Sequence, residues 1–208
     1  MNGLLISFEG GDGAGKSTLM KGLHEWFLAR GKFVLQTRAP GGTPFGEQIR
    51  NMLLHGEILD PRSELFLFLA DRAYQVKEII RPALKAGQII LVDRFNDSTV
   101  AYQGSARELD PVFVRSLCLF ATENLEPDVT FYLDIDPVVG LSRVAMSSIA
   151  KDRIESEALA FHEKIRTAFC DLALENPKRI KKLDAMLPPE ILLKQTIDIL
   201  YALDPSYR

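Results

Sequence analysis

Phe8-Glu9-Gly10-Gly11-Asp12-Gly13-Ala14-Gly15-Lys16-Ser17-Thr18 is the stretch that decides the fold of this chain. Gly10, Gly15, Lys16 and Ser17 satisfy the spacing G-x-x-x-x-G-K-[ST] at every fixed position. Upstream lies the apolar, β-prone run Leu4-Leu5-Ile6-Ser7-Phe8. Downstream, Leu19, Leu23, Trp26 and Phe27 recur at helical spacing, and Gly31 can end that helix. Strand, glycine loop and helix form the context in which this spacing binds phosphate. Glycines let the backbone wrap an anion with its N–H groups pointing inward, and the positive end of the helix faces the same charge. Gly10, Gly11, Asp12, Gly13, Ala14, Gly15, Lys16, Ser17 and Thr18 are thus the expected cradle for a nucleoside triphosphate. Lys16 is placed to reach the β- and γ-phosphates, and the Ser17 hydroxyl to ligate Mg²⁺.

Outward from the loop, strand-like and helix-like stretches alternate. Phe33-Val34-Leu35, Ile89–Val92 and Val129–Leu133 read as strands, and 179–183 as a weaker one. The Gly/Pro stretch 38–46 reads as a loop. Ile49, Met52 and Leu53 give a short helix, and Asp60-Pro61 opens a long one. Further helices are expected over 111–120, across Leu159 to Leu172 and over 189–203. Strands apolar throughout and separated by helices predict an α/β protein with a parallel sheet covered on both faces. Ligands then gather beyond the carboxyl ends of the strands, where Phe8, Val92 and Leu133 give way to polar residues.

The bulk composition narrows the classes. The chain has 208 residues, 47% hydrophobic and 25% charged, and reads as one globular domain over 1–208. A formal charge of −3 argues against a surface that coats nucleic acid. No apolar run reaches the roughly 18 residues that span a bilayer, and Met1 to Phe8 lacks the basic flank of a signal peptide. A cytoplasmic location is expected, with Cys118 and Cys170 as buried thiols. His24, His55 and His162 do not cluster in sequence. Lys178, Arg179, Lys181 and Lys182 read as a solvated strand edge or turn, and the apolar 110s helix as core or dimer contact.

Asp93-Arg94 follows an apolar strand, where a magnesium carboxylate is commonly found in such folds. The adjoining arginine suits a second anion, gripped bidentately. A hydrolysing switch needs a positioned water instead, and a guanine-specific one an Asn-Lys-x-Asp motif that does not occur. Asp93 with Ser17 is the expected metal pair. As plainer readings, Asp93-Arg94 could be a surface ion pair, Asp71-Arg72 a solvated one, and Ser98 and Thr99 helix caps.

The chain also resembles the bacterial thymidylate kinase family through most of its length. The match runs through 8–18, Thr37-Arg38-Ala39-Pro40-Gly41-Gly42-Thr43, Phe68-Leu69-Ala70-Asp71-Arg72, Asp93-Arg94-Phe95 with 98–104, Tyr132-Leu133-Asp134 and Asp152-Arg153-Ile154-Glu155. The resemblance implies a P-loop NTPase fold with a five-stranded parallel sheet and a lid over about 143–153. It implies ATP- and Mg²⁺-dependent conversion of dTMP to dTDP in a cytosolic homodimer, with no nucleic-acid or membrane partner. Phe68 would stack on thymine, Arg72 would meet its O4, and Thr99 or Gln103 its N3 edge; Ser98 joins this set. Tyr102 would disfavour a ribose and Arg94 would hold the acceptor phosphate. Lys16, Arg94, Asp12 and Arg153 form the expected catalytic group, and Arg143 joins the nucleotide site. Ala39 departs from the family's glutamate. The segment 144–150 carries no charge, so the lid cation must come from Arg143, Lys151 or Arg153. Because the acceptor is an already ionised phosphate oxygen, no general base is expected.

Overall fold

The computed structural model describes residues 3–146 and 152–204. Five parallel strands, β1 (Leu4–Glu9), β2 (Val34–Arg38), β3 (Ile89–Asp93), β4 (Val129–Asp134) and β5 (Ile180–Asp184), form one sheet in the order β2-β3-β1-β4-β5. β1 lies between β3 and β4, with Phe8 opposite Asp93 on one side and Phe131 on the other. The chain leaves β1 toward one edge of the sheet and later returns to its other side. The crevice at such a switch point opens at the strand ends.

The helices are α1 (Lys16–Leu28), α2 (Pro44–His55), α3 (Pro61–Gln75), α4 (Arg81–Lys85), α5 (Asn96–Thr99), α6 (Pro111–Ala121), α7 (Pro137–Met146), α8 (Leu159–Glu175) and α9 (Pro189–Leu203). A π-helical turn, Val76–Ile80, joins α3 to α4, and a second, Val100–Ala106, continues α5. Strand alternation sorts the two faces. Ile6, Phe8, Leu91, Phe131 and Leu133 pack against α1 and α9 through Leu19, Leu23, Phe27, Leu192 and Leu200. Leu5, Ile90 and Val92 face Val76 and Ile80. Ser7 and Glu9 share that second face, so their polar atoms need partners, which Thr130 supplies for Ser7 and Phe95 and Ser98 for Glu9.

Two boundaries and one side-chain environment differ from the sequence expectation. β2 extends to Arg38 while Phe33 stays exposed, because pairing with β3 continues through Arg38 opposite Asp93. α2 starts inside the predicted loop: Thr43 Oγ1 accepts from Gly46 N at 2.8 Å, a side-chain cap with Pro44 in the first turn. Arg179 is not a solvated edge residue. Its guanidinium donates to both Asp97 oxygens, at 2.6 and 2.8 Å, and to Thr130 Oγ1 at 2.9 Å. Ser7 and Thr130 hydroxyls pair at 2.7 Å, completing a buried polar line across the sheet.

Candidate active site

Gly15 is left-handed (φ 91°) and precedes α1 with no side-chain cap and no acid in the first helical turn. The first amides of α1 are therefore left for an outside acceptor, and the helix dipole adds its positive end. Lys16 Nζ donates to Gly10 O at 3.1 Å and Gly11 O at 3.0 Å. Burial, reinforced by Arg94, pushes its pKa down. The loop is also clamped from above. A Cβ on Gly13 would stand 2.2 Å from Gly140 O, and one on Gly140 would stand 2.4 Å from Asp12 O, so α7 touches the loop backbone.

Arg94 follows β3 with φ 69°, a left-handed conformation that costs an L-residue roughly 1–2 kcal/mol. Two bonds hold the turn: Arg94 N donates to Phe8 O at 3.0 Å, and Phe95 N to Glu9 Oε1 at 2.7 Å. The turn throws the guanidinium back over the glycine loop. Nη1 donates to Gly10 O at 3.0 Å and Ser98 Oγ at 3.2 Å, and Nη2 to Asp12 Oδ1 at 2.6 Å. It lies 4.9 Å above the Tyr102 ring. Burial by itself would raise the Asp12 carboxyl, but Arg94 and Lys16 outweigh it and hold its pKa low. Burial and the nearby Asp97 push the Glu9 carboxyl up to about 7. Arg94 thus pairs with Asp12 and not with its neighbour Asp93.

These groups border a cleft of about 710 Å³, in the range of small-ligand sites. The loop residues from Asp12 to Thr18 line it, as do Phe68, Arg72, Asp93, Arg94, Ser98, Thr99, Tyr102, Gln103 and Arg143. Gly10 and Gly11 lie outside it and contribute their carbonyls to Lys16. Arg72 is buried, stacks 4.4 Å over Phe95 and donates to Arg94 O at 3.1 Å. Asp71 is buried too and accepts from Gly41 N at 3.3 Å, so the pair is not a solvated salt bridge. Burial raises the Asp71 carboxyl to about 6. Ser98 and Thr99 are buried inside α5 and do not cap it; Ser98 Oγ donates to Glu9 Oε2 in a very short bond. Asp93 Oδ1 is buried and has no donor among the described residues, while Ser17 lines the same cleft: a carboxylate and a hydroxyl that suit a hard, oxygen-seeking cation.

At the far side, Glu64 gathers three donors. Gln103 Nε2 lies at 2.9 Å, Arg107 Nε at 3.2 Å and Arg153 Nη2 at 2.6 Å. Arg153, expected among the catalytic cations, is thereby turned to Glu64 and Leu53 O and is not on the cleft wall. Arg143 is on that wall, with Nη1 3.3 Å from Gly13 O and from Ala185 O. Lys151 and the middle of the expected lid lie outside the described residues. Ala39 also lines the cleft, so the departure at this position alters its surface.

Sequence reading missed Glu9, Glu64, Gln75 and Arg107, and also Arg50, which lines the cleft and donates to Pro40 O at 3.0 Å. A signal existed for two. Glu64 and Gln75 share one helical stripe with Phe68 and Asp71, at the i, i+4, i+7, i+11 spacing of a buried face. Gln75 Nε2 lies within hydrogen-bonding reach of Thr37 Oγ1, Arg38 O and Gly41 O, sharing its two hydrogens among them and fixing the loop that carries Ala39. Glu9 ends an apolar strand, a place where a charge needs dedicated donors.

A family model described as thymidylate kinase matches residues 8–196. The thymidylate kinase of Protochlamydia amoebophila is 44% identical over 209 residues, an alignment spanning 95% of this chain and 92% of that protein. That of Desulfovibrio desulfuricans is 47% identical over 200 residues, covering 92% of each. Among solved structures, thymidylate kinase from Ehrlichia chaffeensis superposes with a TM-score of 0.78 at 32% identity, over 96% of this chain and 99% of that one.

Proposed function

The chain belongs to the thymidylate kinase family and phosphorylates dTMP to dTDP, and from that premise we propose how its residues divide the work. ATP is the donor and Mg²⁺ the metal, which Ser17 and Asp93 would hold. The metal, when bound, neutralises phosphate charge. A dTMP phosphate oxygen attacks the γ-phosphorus, the bond to the bridging β–γ oxygen breaks, and ADP leaves. No proton has to be removed from the nucleophile, since a phosphate monoester is largely dianionic near neutral pH. The protein's task is to bring two polyanions into line.

Lys16 and the uncapped amides of α1 take the donor phosphates. Arg94 holds the acceptor phosphate, and Asp12 aims its guanidinium. The observation that carries this reading is the reach of Arg94 across to Gly10 O and Asp12, which puts an acceptor-binding cation against the donor-binding loop. Phe68 and Arg72 receive thymine. Glu64 accepts from the Gln103 amide nitrogen, which leaves the Gln103 carbonyl for the N3–H of the base. Thr99 and Ser98 line the same wall, and the Tyr102 ring occupies the sugar side.

Arg143 supplies the cation from the lid over about 143–153, because it reaches the glycine loop where Arg153 is held by Glu64. One kinase domain spans 1–208. Two copies pair through α3 and α6, which pack together and leave Phe66, Phe113 and Phe120 exposed. Among the described residues no helix is long and apolar enough to cross a membrane, and we place the enzyme in the cytoplasm. An ADP-release assay with ATP, Mg²⁺ and dTMP, dUMP, UMP or CMP tests the assignment. Preference for dTMP is the expected result; equal turnover of UMP or CMP would overturn it.

A further inference from the structure

Glu9 touches nothing that the reaction consumes, yet both of its carboxylate oxygens are committed. It is fully buried at the carboxyl end of β1, one residue before the glycine loop. Oε1 accepts from Phe95 N, and Oε2 from the Ser98 hydroxyl. Both donors follow the left-handed turn at Arg94, one directly after it and one a helical turn further on. Ser98 Oγ in its turn accepts from Arg94 Nη1. The same turn serves the base end of the cleft. The Arg94 carbonyl accepts from Arg72 Nη1, and the ring of Phe95, whose amide Glu9 holds, lies beneath the Arg72 guanidinium.

We propose that Glu9 is the positioning residue of the acceptor half of the cleft, setting Arg94 and Arg72 together through the Phe95 amide and the Ser98 hydroxyl. This rests on the reading above in which Arg94 holds the acceptor phosphate and Arg72 the base. A left-handed arginine is disfavoured without outside bonds, and a buried carboxylate without donors is equally disfavoured. Each supplies what the other lacks. The arrangement makes a sharp distinction between substrates. Lys16 bonds to Gly10 O and Gly11 O and makes no hydrogen bond to Glu9, so this carboxylate reaches the donor half only through its charge and through the Arg94 bonds to Gly10 O and Asp12.

The test uses the purified full chain. Glu9→Gln keeps the shape and one acceptor but cannot accept from Ser98 through its amide nitrogen. The expected result is a fall in kcat/KM for dTMP of about 10-fold or more, the scale of one charge-assisted hydrogen bond. The Kd of a non-hydrolysable ATP analogue with Mg²⁺ should move less than about twofold. Ser98→Ala alone should cost several-fold, and adding it to Glu9→Gln should cost much less than the product of the two, as in a shared network. Glu9→Asp, too short to reach both donors, serves if Glu9→Gln does not fold. Unchanged dTMP kinetics, equal weakening of both nucleotides, or losses that multiply would each overturn the proposal. Arg94→Ala is run alongside. If it is as active as the wild type, the underlying reading falls as well; if it is crippled while Glu9→Gln is not, only the role of Glu9 falls.

Discussion

Arg94 Nη2 donates to Asp12 Oδ1 across 2.6 Å, tying the turn after β3 to the middle of the glycine loop. On the proposed division of labour, the cation that would grip the acceptor is aimed by a carboxylate from the loop that would wrap the donor. Repulsion between two polyanions is the main obstacle to this reaction, and both halves of the remedy share one salt bridge.

Arg94→Ala and Lys16→Ala should each lower kcat/KM by about 10²-fold or more, the scale for losing a charged contact made in the transition state. Steady-state kinetics on folded protein checks this. A near-wild-type Arg94→Ala enzyme would remove that residue from the mechanism.

Tyr102 stands under Arg94 on the cleft wall. Tyr102→Ala should relax discrimination against a 2′-hydroxyl, so the dUMP-to-UMP ratio of kcat/KM falls by about 10-fold. That lies within the modest rejection a pocket wall achieves against an added hydroxyl. An unchanged ratio would assign the sugar preference elsewhere.

Gly140 lets α7 lie on the glycine loop, since its Cβ would meet Asp12 O at 2.4 Å. Gly140→Ala should push the two apart at an overpacking cost of about 1–3 kcal/mol. The KM for ATP should rise about tenfold while that for dTMP changes little. Equal effects on both would contradict a donor-side role for this contact.

Glu64 is almost wholly buried beneath Gln103, Arg107 and Arg153. Glu64→Ala strands those donors, and breaking a buried pair from one side costs about 3–5 kcal/mol. The melting temperature should fall by roughly 6–20 °C. Calorimetry showing a shift under about 2 °C would mean the cluster relaxes without it.

Asp71 carries a pKa raised to about 6 because burial, helped by Glu47, outweighs Arg72, the Gly41 amide and Arg50, which all pull it down. The folded state thus binds its proton more tightly than the unfolded chain does. The stability linked to that proton is complete below the ordinary carboxylate range and is lost as pH rises through about 6. Asp71→Asn, which keeps an acceptor for Gly41 N, should remove this slope. The variant should gain up to about 2 kcal/mol on the wild type at pH 7 and nothing at pH 4. Unfolding curves across that range decide it, and parallel curves would refute it.

Much of the fold could be read directly from residue pattern. Apolar runs at 4–8, 89–92 and 129–133 became the three central strands, because strands buried on both faces need no alternation and stand out as continuous runs. Edge strands were harder: β2 and β5 have one open side and mixed composition, so their limits came from pairing with β3 and β4. The π-helical turn over 100–106 left no signal, because its register depends on packing against α6 and α8.

The same split runs through the site. The glycine loop, Lys16 and the Asp93-Arg94 step sit in short stretches, so the sequence determined their identity and order, although the turn at Arg94 is held from β1 by Phe8 O and Glu9. Partners were another matter. Asp12 lies 82 residues from Arg94, and Glu64 lies 89 from Arg153. Only folding brought these together and diverted Arg153 from the cleft, set Glu9 behind the Arg94 turn and paired the half-buried Arg179 with Asp97. A charge's role depends on the counter-charge it meets after burial, and that meeting is decided by how strands and helices stack.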